Sequence, residues 1–145
     1  LEQYTIHAGK SIPNIWSIGG FSLSENTAYA CEPFVTTEQG GGFVRNGKIK
    51  NIFAINSRKK TKNDEADKLL NFIWENFNML PFALRWITKE WEEKEARELL
   101  DILIKKKAVQ AYPVLIEVNE QRVAQAEHTF IPMESGVTVT TKALT

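Results

Sequence analysis

Residues 64–77, DEADKLLNFIWENF, decide how the rest of the chain is read. Ala66, Leu69, Leu70, Ile73 and Phe77 fall at helical spacing behind two opening acids, the charge that the start of a helix prefers, so a helix is expected over about 64–77. Downstream, Pro81 interrupts the pattern and Phe82 to Ile87 reads as a short helix. Glu92 to Lys107 then carries Ala96, Leu99, Leu100 and Leu103 on one stripe, with acids early and lysines late. That is a second long helix. Outside this block the period changes. Thr27 to Thr37 (TAYACEPFVTT) is dense in small, aromatic and β-branched residues on both faces and reads as a central strand that bends or loses pairing at Pro33. Glu38 to Gly47, with Gly40, Gly41, Gly42 and Asn46-Gly47, reads as hairpin and loop before the apolar run Ile49 to Ile55. After Pro113, the runs Val114 to Val118, Arg122 to Ile131 and Val137 to Thr141 read as antiparallel strands joined at Asn119-Glu120 and Glu134-Ser135-Gly136. Residues 4–16 read as strand, loop, strand. The sum is an α+β chain in which a helical block interrupts an antiparallel sheet.

Composition sets outer limits. The 145 residues are 43% hydrophobic and 25% charged, which is the balance of a globular domain and not of a disordered tail. Eighteen Lys plus Arg match eighteen Asp plus Glu, so no overall basic field points to nucleic acid, although a local patch is compatible with neutrality. Apolar runs stop at four or five residues, where a membrane span needs about 20. Cys31 is the single cysteine and makes no internal disulfide, compatible with a reducing cytoplasm. Because the chain starts at Leu1 within patterned sequence, it reads as part of something longer.

Glu32 and Glu127 are the two residues most in need of explanation. Each lies in an apolar run, and an ionised carboxylate on a buried strand requires a cation or several donors. Either each is held in a structural pair, or together they serve divalent ions such as Mn, Co, Fe or Zn, for which carboxylates are suitable ligands. His7 precedes Ala-Gly, where the backbone can turn and leave room for a ligand; His128 follows Glu127 and would face away from it on a regular strand, so His7 is the stronger candidate. Cys31 reads as a small buried hydrophobe. The three glycines at 40–42 lack the Lys-Ser/Thr pair of a phosphate loop and read as a hairpin tip. Lys105-Lys106-Lys107 reads as a solvated helix end, and Trp74, Trp86 and Trp91 as packing groups.

Five strings together are specific. IHAGKSIPN at 6–14, YACEPFVTT at 29–37, LPFALRW at 80–86, YPVLIEV at 112–118 and VAQAEHT at 123–129 resemble, in order, the C-terminal half of type 2 methionine aminopeptidases. The resemblance implies half of a pita-bread fold, with catalytic parts at 1–60 and 113–145 around a helical insert at 61–112. It implies a dinuclear metallopeptidase using two divalent ions (Co, Mn, Fe or Zn) to remove initiator methionine from nascent chains in the cytoplasm. Glu32 matches the terminal carboxylate ligand, Glu127 the bridging one and His7 the histidine that contacts the scissile peptide. Ile6 and Tyr112 match positions lining the methionine pocket, where an apolar, polarisable wall suits a thioether. Cys31 and Ala126 stand where the family usually has Ile and Phe. The remaining ligands, two aspartates and a histidine, are expected in sequence before Leu1, so an N-terminal half, as a separate chain or cleaved fragment, is an implied partner. The ribosome is a further one; a membrane and a sequence-specific nucleic acid are not expected. The competing readings are a non-catalytic pita-bread module binding proteins or ribosomes, and a related prolidase or aminopeptidase P.

Overall fold

The computed structural model describes residues 1–2, 9, 16 and 18–142. Its elements are β1 (Tyr29–Cys31), β2 (Phe34–Thr36), β3 (Val44–Ile55), α1 (Asp64–Phe77), β4 (Phe82–Ala83), α2 (Leu84–Ile87), α3 (Glu93–Lys105), β5 (Val109–Glu117), β6 (Val123–Gln125), β7 (His128–Met133) and β8 (Gly136–Val139). They form two compact units, one of residues 1–44 and 117–145, the other of residues 45–116. Among the described residues, no helix is long and apolar enough to cross a membrane.

The central unit holds the core. α1 starts where the Asn63 side chain accepts from the Ala66 N–H at 2.9 Å, and acids fill its first turn. α3 starts in the same way, with the Glu92 carboxylate accepting from Lys94 N–H. The predicted stripes are the buried ones: Ala66, Leu69, Leu70 and Ile73 on α1, and Ala96, Leu99, Leu100 and Leu103 on α3. They pack with Phe53, Ile55, Phe82, Leu84, Ile87 and Val109 of the sheet β4-β3-β5 and α2 into one cluster. α3 ends in a Schellman turn: Lys107 takes φ 58°, its N–H reaches Ile104 O, and Ala108 N–H reaches Leu103 O.

Several strand expectations change. Phe82 and Ala83 are not helical but form β4, pairing with Phe53 and Ile52, because Phe82 is wanted in the core, where its ring stacks on Phe53 and Phe77 at 5.9 and 5.4 Å. Asn46-Gly47 lies inside β3 and not in a turn. There the lack of a side chain is needed, since a Cβ on Gly47 would stand 2.9 Å from Val114 O. Pro113 does not reset the chain but sits within β5, at the end of its sheet order, where a missing donor costs least.

In the other unit, the run 27–37 is not one central strand. β1 lies at the end of the order β1-β7-β8 among the described residues, while β2 pairs only β6. The break is at Glu32-Pro33, where the loss of pairing was expected. The run 122–131 divides correspondingly into β6 and β7. β7 and β8 close through Glu134-Ser135, with Gly136 at φ 132° facing Met133.

All the buried apolar side chains of the described residues belong to the central unit. Leu103→Ala, at a fully buried position, should therefore lower stability by about 2–5 kcal/mol, whereas Val35→Ala, on exposed β2, should change it by less than about 0.5 kcal/mol. Urea unfolding is the check, followed by tryptophan fluorescence, through which Trp74, Trp86 and Trp91 report on the central unit, and by circular dichroism, which covers both units.

Candidate functional site

The ladder registers bring the two carboxylates together. β1 and β7 pair Cys31 with His128, and β2 and β6 pair Phe34 with Gln125. Advancing one residue from the first pair puts Glu32 opposite Glu127, and stepping back one from the second puts Pro33 opposite Ala126. The register is unbroken across the gap, so β1–β2 and β6–β7 are one antiparallel ribbon whose ladder is interrupted and not shifted. The cause is chemical. Ala126 N–H donates to Pro33 O at 3.2 Å, but Pro33 has no N–H to return to Ala126. Since 33 and 126 form a hydrogen-bonded pair, the neighbouring 32 and 127 form a non-hydrogen-bonded pair, the kind whose side chains stand closer. Like charges directly opposite repel, so the arrangement favours a cation between them.

Gln125 shares this face, two residues from Glu127, and its Nε2 donates to Glu32 Oε2 at 3.1 Å. Neither carboxylate is buried: Glu32 and Glu127 are exposed, contrary to the expectation from their apolar neighbours. Cys31, expected to be buried, is exposed too. Alternation correctly separates the two faces of the ribbon, but few of the apolar neighbours on either face are themselves covered. His128, on the face opposite Glu127, is committed elsewhere, with Nδ1 at 3.0 Å from Thr141 Oγ1. His7 and Ile6 lie outside the described residues. Tyr112, on β5, is exposed, and its hydroxyl accepts from Gln110 Nε2. Among the described residues no group of three or more His, Cys, Asp or Glu converges on a point that would hold a metal ion. Glu32 and Glu127 are two carboxylates on facing strands, a donor set that fits part of a divalent-metal site and not the whole of one.

The sequence reading did not single out Glu117, the one buried carboxylate among the described residues, at 3% exposure. Its Oε1 accepts from Gly41 N–H at 2.5 Å, and its Oε2 from Asn119 and Gln121 N–H at 2.7 and 3.2 Å. The glycines at 40–42 are therefore not a loose hairpin tip but a clamped turn. A Cβ on Gly41 would lie 2.3 Å from Val118 Cγ1, so any larger residue would have to displace the Val118 side chain. Val118 N–H to Phe43 O and Asn119 Nδ2 to Gln39 O complete the clamp. A Glu ending an apolar strand and followed by an Asn turn was the available signal. Burial pushes the Glu117 carboxyl up, but the backbone N–H groups of Gln121, Gly41, Asn119 and Gly42 outweigh it and hold it below the ordinary carboxylate value.

The class is the pita-bread fold. A thermophilic Arx1 structure superposes with a TM-score of 0.65 at 18% identity, covering 77% of this chain and 29% of its own. By sequence, the chain is similar along nearly its whole length to proteins named methionine aminopeptidase. The one from Saccharolobus solfataricus is 38% identical over 147 residues, covering 99% of this chain and 48% of its own length. Its counterpart from Methanocaldococcus jannaschii is 37% identical over 142 residues, covering 98% and 47%. The chain thus spans about half the length of the curated relatives it matches. No family model matches it.

Because the folded Glu117 carboxyl is held low, its stabilising effect is complete above the unfolded glutamate pKa and disappears as pH falls through the folded one. Glu117→Gln should accordingly lower the urea midpoint at pH 7, and the difference from the parent should vanish in acid. Urea titrations at a series of pH values test this; a difference that grew on acidification would contradict it.

Proposed function

We propose that this chain supplies the C-terminal half of a type 2 methionine aminopeptidase, a metallo-exopeptidase that removes initiator methionine from nascent polypeptides in the cytoplasm. The observation that carries the reading is the direct opposition of Glu32 and Glu127, supported by relatives of that name along nearly the whole chain. In this reading residues 61–112 are the helical insert between catalytic parts at 1–60 and 113–145. Glu32 and Glu127, matching the family's terminal and bridging carboxylates, would hold two divalent ions (Co, Mn, Fe or Zn), which would supply Lewis-acid activation of the peptide carbonyl and of water. Gln125 orients the Glu32 carboxylate by donating to one of its oxygens. His7 contacts the scissile peptide, and Ile6 and Tyr112 contact the methionine side chain. The remaining ligands come from an N-terminal half.

A second reading is a non-catalytic pita-bread module that binds proteins or the ribosome. It keeps the fold and has no use for the ligands, so the presence of both Glu32 and Glu127 disfavours it. The two separate on one comparison. In the assembly of both halves, Glu127→Ala should reduce kcat/KM on a Met-Ala-Ser peptide by about 100-fold or more, while Cys31→Ala, on the other face of the ribbon, should change it little. Equal activity of the two folded variants would sink the assignment. The 145 residues alone, with Mn or Co, should show no turnover until a half bearing the two aspartates and the histidine is added.

A further inference from the structure

We propose that the outer edge of β3, over residues 46–51, is a docking site for an extended acidic peptide of another protein, which adds to the sheet as a further strand. The sheet order is β4-β3-β5, so β3 has a neighbour on each side, but the two differ in length. β5 has nine residues, whereas β4 has two and pairs only Ile52 and Phe53 of the twelve in β3. Past that pair, among the described residues, no strand continues the line of β4. Residues 46–51, NGKIKN, therefore present backbone donors and acceptors without a strand partner along about 20 Å.

Two cavities beside this stretch give an added strand room for its side chains. One, of about 300 Å³, lies where Asn51 and Ile52 meet Ala83 and Leu84. The other, of about 410 Å³, lies between β3 and α3, with Ile49, Phe53, Leu100 and Ile104 as its apolar lining. Arg97 lines both, and its Nη2 donates to Asn51 Oδ1 at 3.3 Å, which fixes α3 against the strand just where β4 ends.

The chemistry of the occupant follows from the two faces of the strand. By alternation Ile49, Asn51 and Phe53 share the face toward α3, and Lys48 and Lys50 share the other. An added strand alternates in the same way, with main-chain bonds supplying affinity and the two sets of side chains supplying specificity. Both lysines are exposed, and neither has an ion-pair partner among the described residues. β3 itself contains no acid, and on α3 Glu93 is already held by Arg97 at 2.8 Å. A peptide with apolar residues at one set of alternate positions and Asp or Glu at the other satisfies both faces. A second copy of this chain does not, because two β3 edges paired antiparallel about Ile49 would set lysine against lysine. Lysines on an edge keep like strands away, and the same charge admits an acidic one. The inference is independent of the aminopeptidase reading.

The test is fluorescence anisotropy of the 145-residue chain with a labelled, capped peptide, Ser-Glu-Val-Glu-Val-Glu-Val-Ser. Two further peptides are the other arms: one with Lys in place of each Glu, and one N-methylated at every Glu and Val, which keeps the charges and removes the main-chain donors. Each should bind about 10-fold or more weakly than the first. Lys48→Glu/Lys50→Glu should cost the Glu peptide about 10-fold or more and improve binding of the Lys peptide, while Lys59→Glu/Lys60→Glu, the same charge change outside the sheet, should stay within about twofold. Circular dichroism confirms that both variants are folded. In the complex, amide hydrogen exchange read by NMR should slow at alternate residues of 46–51. No binding of the Glu peptide, equal binding of its N-methylated form, or slowed exchange only outside 46–51 would each overturn the proposal. So would displacement of the peptide by an N-terminal half, which would make that half the occupant, or exchange at 46–51 that slows with concentration of the free chain, which would make a second copy the occupant.

Discussion

The Glu117 carboxylate closes the neck through which the chain leaves one unit and returns to it. Gly41 and Gly42 lie on the outgoing side, and Asn119 and Gln121 on the returning side, and one buried side chain accepts from both. Removing only one partner would leave either a buried charge or several backbone donors unmatched, so the clamp is costly to break from either side. Beyond the neck, β6 and β7 must then run back along β2 and β1 in one register, and that register places Glu127 across from Glu32.

The two units are stabilised by different means. The central one buries two amphipathic helices against a small sheet, with Phe53, Phe77 and Phe82 stacked where the layers meet. The other is held by ladders and side-chain hydrogen bonds, such as Thr36 Oγ1 to Arg122 O at 3.0 Å, and leaves apolar groups such as Val35, Phe43 and Val137 largely exposed. A surface of that kind suits contact with further protein more than it suits water.

How much was legible in the sequence follows from this division. The helices were, because spacing and end residues are local signals that the core then confirms. The Pro33 break was also legible, since a missing N–H acts wherever the strand lies. Strand limits were less so: Phe82 was drawn into the sheet by tertiary packing against a turn of helical propensity, and Gly47 was kept in β3 by the close passage of β5. The candidate carboxylates were found, but their burial was misjudged, because alternation tells which side chains share a face and not whether that face is covered. Glu117 escaped notice because its partners are backbone groups that no side-chain pattern announces.

The ribbon that carries Glu32 and Glu127 also constrains the order of events at synthesis. Glu32 and its hydrogen-bond partner Gln125 are separated by 93 positions. At the usual pace of about 5–20 residues per second, β1 and β2 are synthesised roughly 5–20 s before β6 and β7. The central unit is contiguous and can bury its own core in that interval, with low-separation contacts that form quickly. β1 and β2 are meanwhile without β6 and β7 beside them. Pro33, in the middle of that waiting segment, removes a donor from it and so makes it a poorer template for the wrong neighbour.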